Sequence, residues 1–435
     1  MSVETSGGTP STRHYDLIIV GAGQVGATLA LQLAPLLERQ GLRMALVEAD
    51  DRDQPTFHAE QFDPRVVALT PASQQLYQRL GLWRHIEKER VCPYREMHVW
   101  DGEGSGRIGF SADELGSEAL GHIVEVSVLV RHIRQALTYQ SGVDLLSPAV
   151  VRGLDRVESG TASASDLPRP LSSAPLQRLT LEDGRKVSAP LVVAADGVES
   201  RVRELAGFAV REWSYDQKAI VTTVRTERPH GYTARQRFMR TGPVALLPLR
   251  WRRETQTPGP WDAHYCSIVW SADADLADEL MALDDAGFRA RLGRETEYAL
   301  GEITDVDRRH AIALAQRHAR DYVRPGVALV GDAAHRIHPL AGQGVNLGLK
   351  DVMALATEIE RALNRGLPLG EVSIVRRYQR QRLGDNLGMM ATMEGFKQLF
   401  GSHAPAAIMA RNLGLRGVNA LAPVKNTLAR KAMGV

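Results

Sequence analysis

Only two cysteines, Cys92 and Cys266, occur in 435 residues. That excludes a disulfide framework and a cysteine-rich metal site, and it suits a reducing compartment. No uninterrupted apolar run approaches the roughly 20 residues that a membrane-spanning helix needs. The first residues, MSVETSGGTPSTRH, lack the apolar core of a secretory signal, so the expected location is cytoplasmic. An excess of one charge is missing too. Fifty-three basic against 51 acidic residues leave a formal +2, which argues against a nucleic-acid partner. No GxSxG turn, nucleophilic-cysteine pattern or paired-carboxylate constellation stands out.

What is present is ordinary globular composition, 44% hydrophobic and 24% charged, in a chain long enough for two or three domains or one large composite. Residues 1–14 read as a disordered leader, with structure beginning at Tyr15 in YDLIIV. GAGQVG follows at once, and Val25, Leu29, Leu33 and Leu36 then recur at helical spacing, with Pro35 expected to kink or end that helix. A second strand, MALVE, ends at Glu48. Farther on, MHVWDGEGSGRIGF, KAIVTTVRTE, GPVALLPLRW and HYCSIVWS read as β segments, GEGSG being a hairpin turn. Residues 158–176 are small, polar and proline-rich, as in a surface loop inserted in a hairpin. The strand APLVVAADG comes next. These readings give an α/β fold with a Rossmann-type nucleotide-binding domain in three pieces, 15–80, 120–212 and 305–365. A β-sheet-rich substrate domain, 81–119 and 213–304, interrupts it, and a helical region, 366–435, follows.

In the first turn, Gly21 permits the bend, Gly23 lets backbone approach a pyrophosphate, and Gly26 allows close helix–strand packing. The helix N-terminus offers free N–H groups and positive partial charge to phosphates. Glu48, at the end of the next strand, stands where a carboxylate can accept hydrogen bonds from a ribose. Two further apolar strands end in Asp196-Gly197 and Gly331-Asp332, an arrangement a nicotinamide dehydrogenase does not need. Three such strand ends serve one extended ligand only if the fold brings them together. Beyond Gly342-Gln343-Gly344, the residues Leu349, Val352, Leu355, Ile359 and Leu363 form one helical face, and Gly366 reads as its C-cap.

The trio GAGQVG, AADG and LVGDAAH resembles that of the FAD-dependent aromatic hydroxylases of the para-hydroxybenzoate hydroxylase type. HPLAGQGVNLGLKDV is similar to the ubiquinone-biosynthesis hydroxylases within that class. CPYREMHVWD, LGHIVEVSVL, CSIVWS, RYQRQR and RKAMG resemble especially the bacterial 2-polyprenylphenol hydroxylase branch. The resemblance implies bound FAD, with Asp332 on its ribityl chain and the loop from Pro339 to Asn346, including Gly342, Gln343, Gly344 and Val345, along the isoalloxazine. Arg65 and Arg131 resemble two flavin-contacting arginines, with ordinary ion pairing as the alternative for each. The implied reaction uses NAD(P)H as a transient reductant and O2, and delivers one oxygen from a flavin hydroperoxide to the ring of a polyprenylated phenol. A sister hydroxylase acting at another ring carbon, or a non-catalytic flavin-holding scaffold of a quinone-synthesis complex, remains open.

His335 and His338 stand three apart, but Pro339 argues for a loop and no third ligand accompanies them, so no metal is expected. His338 is a candidate for orienting or deprotonating the phenol, against a structural histidine bonded to backbone. From Gly395 to Val435 there is no acidic residue. That tail reads either as helices packed on their own domain, or as a face for the inner surface of the membrane or for other ubiquinone-biosynthesis proteins.

Overall fold

The computed structural model describes residues 12–51, 55–57, 60–157, 175–251, 260–337, 344–401 and 405–434. Four fully apolar, buried stretches, Leu17–Val20, Met44–Val47, Leu191–Ala194 and Val327–Leu329, explain the core, because strands buried on both faces need no polar alternation. They sit in a six-stranded sheet ordered Val323–Arg324, Val327–Leu329, Leu191–Ala194, Leu17–Val20, Met44–Val47, Val143–Leu146. All its pairings are parallel except that of Val323–Arg324. Helices α1 (Gln24–Arg39), α2 (Pro71–Arg79), α3 (Trp83–Ile86), α4 (Val126–Leu137) and α5 (Arg201–Leu205) belong to this part of the chain. Pro35 does not end α1, which runs on to Arg39: a proline near the C-terminus costs one backbone bond while Leu33, Leu36 and Leu37 stay buried. Regular structure is present before Tyr15, since Arg13–His14 adds a parallel strand beside Lys186–Ala189.

The second body is a nine-stranded sheet. Its path runs His335–Arg336, His310–Ala319, Val210–Thr226, Asp262–Asp273, Gly242–Trp251, Thr233–Met239, Glu96–Asp101, Arg107–Ser111, with Ile303–Val306 also on Val210–Thr226. Residues 102–106 make the hairpin turn between Asp101 and Arg107. The boundary expected at 304/305 is displaced, because His310–Ala319 pairs with Val210–Val221 and belongs to this sheet. One face carries Ile220, Val244, Leu246, Ile268 and Trp270, buried against α6 (Ala274–Ala282) and α7 (Asp285–Glu295) through Leu280, Phe288 and Leu292. The strands Val151–Val157 and Leu176–Leu181 form the expected hairpin, while the insertion at 158–174 lies outside the described residues.

Four helices close the chain: α8 (Gly344–Asn364), α9 (Val372–Gly401), α10 (Pro405–Ala420) and α11 (Ala422–Met433). Gly366, at φ +64°, caps α8: its N–H bonds Leu363 O and that of Leu367 bonds Ala362 O. The tail packs on the 96–115 segment. Arg411 is 1% exposed and bonds Asp101 through Nε at 2.7 Å, with Glu103 at 3.2 Å. Phe400 stacks on Phe238 at 4.2 Å, and Ala429 and Met433 bury against Ala112, Leu115 and Leu120.

Removing one member of a buried ion pair leaves the other unpaired in a poor solvent for charge, at about 3–5 kcal/mol. Arg411→Ala is therefore expected to lower unfolding free energy by about 3 kcal/mol. Arg152→Ala, on an exposed pair with Glu182, is expected to change it by about 1 kcal/mol or less. Denaturant titration of the two variants checks the contrast.

Candidate functional site

Parallel register puts three strand ends at one edge. Val20, Ala194 and Leu329 are neighbours in the ladder, so Gly21, Ala195-Asp196 and Val330-Gly331 leave the sheet side by side. Gly21 has φ +102°, and a Cβ there would stand 2.3 Å from Ala195 O; a Cβ at Gly26 would stand 1.9 Å from Gly21 O. Those two glycines are dictated by the protein's own packing. Gly23 differs: its backbone is extended and nothing lies within 4 Å of its would-be Cβ. Space beside the N-terminus of α1 is therefore open to a ligand, as it is beside Gly344 at the start of α8.

Val25 joins the two glycine turns. A Cβ at Gly348 would lie 2.7 Å from its Cγ2 and one at Gly331 3.1 Å, so α1 and α8 meet through glycine surfaces. Glu48 Oε2 accepts from the Ala22 N–H at 2.6 Å, and its Oε1 from Asp50 N–H at 3.0 Å. Arg134, not singled out by the sequence, braces the same turn: Nε donates to Ala22 O at 3.2 Å and Nη2 lies 3.4 Å from Glu48. Arg131, three residues earlier, instead gives both its bonds from Nη2 to Glu89, at 2.8 and 2.7 Å. Arg65 is exposed, with Nε 3.5 Å from Asp63. Helical periodicity places 131 and 134 on neighbouring faces, and only the packing selects between them.

Asp332 opens to solvent although protein surrounds it on most sides, and none of the described residues bonds its carboxylate. Its pKa is raised by those poorly solvating surroundings, against the opposing pull of His335 and Arg336. Asp196 Oδ2 accepts from Val202 N–H at 3.1 Å, while Oδ1 is buried without a partner among the described residues, and burial pushes the carboxyl up. Gly197, at φ +79°, has open space where a side chain would be. Asn346 turns inward: Oδ1 accepts from Thr70 N–H and Ser73 O–H, and Nδ2 donates to Ala68 O at 2.8 Å. Its side chain thus fastens α8 and leaves only backbone for a ligand; Val345 beside it is half-buried. His338, Pro339, Gly342 and Gln343 lie outside the described residues.

The wall beside Ala68 is apolar and aromatic, with Phe62, Tyr94, Tyr232, Leu247, Trp251 and Tyr265 in one cluster. Burial pushes the Cys92 and Cys266 thiols up to about 12, so neither is a thiolate, and pushes His122 and His230 down to about 4, so both are neutral. Such a wall excludes water rather than exchanging protons.

A sequence profile described as "FAD binding domain" matches residues 14–383. The chain belongs to this FAD-binding family. It is a flavin-dependent hydroxylase by relationship as well. It is 34% identical to 3-demethoxyubiquinol 3-hydroxylase of Escherichia coli, over 97% of this chain and 98% of that one. It is 32% identical to ubiquinone biosynthesis monooxygenase COQ6 of Xenopus tropicalis, over 95% and 92%. In fold it is similar to p-nitrophenol 4-monooxygenase PnpA of Pseudomonas putida, at TM-score 0.71 and 19% identity over 97% of each chain. The residues present fit FAD. Open glycines at two helix starts, the free carboxylate of Asp332 and the orphaned Asp196 oxygen line the edge where the flavoprotein's three turns meet.

Gly21→Ala is expected to destabilise the apoprotein by about 1–3 kcal/mol through strained backbone. Gly23→Val, on extended backbone with open space, is expected to leave apoprotein melting nearly unchanged while weakening FAD binding at least tenfold. Calorimetry of the apoprotein and fluorescence titration with FAD separate the two.

Proposed function

We propose that this flavoprotein hydroxylates the aromatic ring of a polyprenylated phenol in ubiquinone biosynthesis, with NAD(P)H as a transient reductant and O2 as co-substrate. The observation that carries the reading is near full-length similarity, at 31–35% identity, to proteins named for ubiquinone biosynthesis or ubiquinone hydroxylation. When bound, FAD accepts electrons from the nicotinamide and activates oxygen. The chain binds, orients and keeps dry. The N–H groups at the start of α1, with Gly23 beneath them, would hold the pyrophosphate, and Asp332 would bond the ribityl chain. The start of α8 at Gly344 would offer N–H groups and helix dipole to the flavin ring. The apolar wall from Phe62 to Tyr265 shields the reacting atoms from water, which would discharge the activated oxygen as hydrogen peroxide.

The tail supports a related reading. The inner face of α11 buries Lys425, Ala429 and Met433, whereas Leu421, Val424 and Leu428 project outward at 57, 46 and 49% exposure. Met409 and Leu413 on α10 are each 62% exposed. No acid occurs from residue 395 onward, and Arg416 and Arg430 on the same two helices are exposed. Together they suit an anionic membrane surface, from which a polyprenyl substrate has to be collected. No helix among the described residues is long and apolar enough to cross a membrane.

Substrate-dependent NAD(P)H oxidation with a polyprenylated phenol, yielding hydroxylated product rather than hydrogen peroxide, is the expected assay result. Oxidation indifferent to phenol would favour a flavin-holding scaffold. The quinone intermediate accumulating in a deletion strain identifies the ring carbon. For the tail, replacing Leu413, Leu421 and Leu428 by serine should weaken sedimentation with mixed phosphatidylcholine–phosphatidylglycerol vesicles by on the order of a hundredfold, at about 1 kcal/mol per partly inserted side chain. FAD binding should be retained, and equal sedimentation of variant and parent would remove the membrane from the account.

A further inference from the structure

Behind the Gly331-Asp332 turn lies a charged cluster that none of the roles above uses. Asp351, on the second turn of α8, is fully buried, with His335 and Arg382 only 1% and 3% exposed. Its Oδ2 accepts from Gly331 N–H at 3.1 Å and from His335 Nε2 at 2.5 Å. That ring nitrogen has to be the donor, because an ionised carboxylate only accepts. Oδ1 accepts from Arg382 Nε at 2.8 Å, and Arg382 continues to Asn386 and Asp385. Asn386 donates to Tyr322 OH at 3.1 Å, and His318 Nε2 lies 2.9 Å from the same hydroxyl. Burial alone would raise the Asp351 carboxyl, but His335 and Arg382 outweigh it and hold the group below its usual range.

Gly331 and His335 bracket a single turn, and Asp332 stands between them with its carboxylate unbonded by any described residue. One oxygen of Asp351 therefore grips both ends of the segment that presents Asp332. Buried ion pairs are often replaceable by apolar groups with little or no loss of stability, so stability alone does not account for this cluster. We propose that Asp351 is a positioning residue for the flavin: through Gly331 and His335 it fixes the direction of the Asp332 carboxylate, and Arg382 on α9 holds it in place. This rests on Asp332 meeting FAD.

A double-mutant cycle on FAD affinity separates the two ideas. Apoprotein variants Asp332→Ala, Asp351→Asn and the pair together are titrated with FAD, and the visible spectrum of bound flavin is recorded for each. Asp332→Ala and Asp351→Asn should each weaken binding roughly tenfold. The double variant should lose no more than Asp332→Ala alone, and Asp351→Asn should shift the flavin absorption bands. His335→Leu, which frees one end of the turn while keeping the Asp351–Arg382 pair, should couple to Asp332→Ala in the same way and serves if Asp351→Asn does not fold. Losses that multiply in the double variant, or Asp351→Asn binding as tightly as the parent while Asp332→Ala binds weakly, would overturn the positioning role. Undiminished affinity in Asp332→Ala would instead overturn the role of Asp332 itself.

Discussion

Everything at the site depends on how closely three backbone segments approach at one edge of a parallel sheet. Ala195 O comes to 2.3 Å from the position a Cβ would take on Gly21, and Gly21 O to 1.9 Å from that on Gly26. No side chain fits either gap, so the spacing of the first turn follows from packing before any ligand is considered. Val25 then transmits that geometry to the second turn through Gly331 and Gly348. The glycines with open space, Gly23 and Gly344, are left to face a ligand.

The nucleotide-binding elements were readable in the chain because each is local: a buried apolar run, an immediate glycine turn, a helix with one apolar face. Parallel pairing then follows from the alternation of strands and helices. Where tertiary contacts decide, the local pattern leaves the outcome open. Pro35 is tolerated because packing of the neighbouring leucines outweighs one missing hydrogen bond. Arg131 serves Glu89, and Arg134 reaches the turn; nothing in a helical repeat says which arginine faces which neighbour. The strand at 310–319 fell on the wrong side of a boundary because its partner begins a hundred residues earlier.

The tail shows the same limit from the other side. Absence of acid within 395–435 says nothing of acids elsewhere, and Asp101, Glu103 and Glu114 answer its inward-facing Arg411 and Lys425. What the segment does keep is an apolar outer face, visible only once the inner one is known. The Asp351 cluster was likewise invisible, since His335 and Arg382 lie 16 and 31 residues from it in sequence.

The central claim is that separate strand ends form one site spanning a whole flavin dinucleotide. Equilibrium titration of the apoprotein with ADP, FMN and FAD tests it most directly. Two half-sites in fixed register should bind FAD several orders of magnitude more tightly than either fragment, since the second half then docks without a further loss of free motion. If FMN or ADP alone binds as tightly as FAD, the turns do not act on one ligand and the account is wrong.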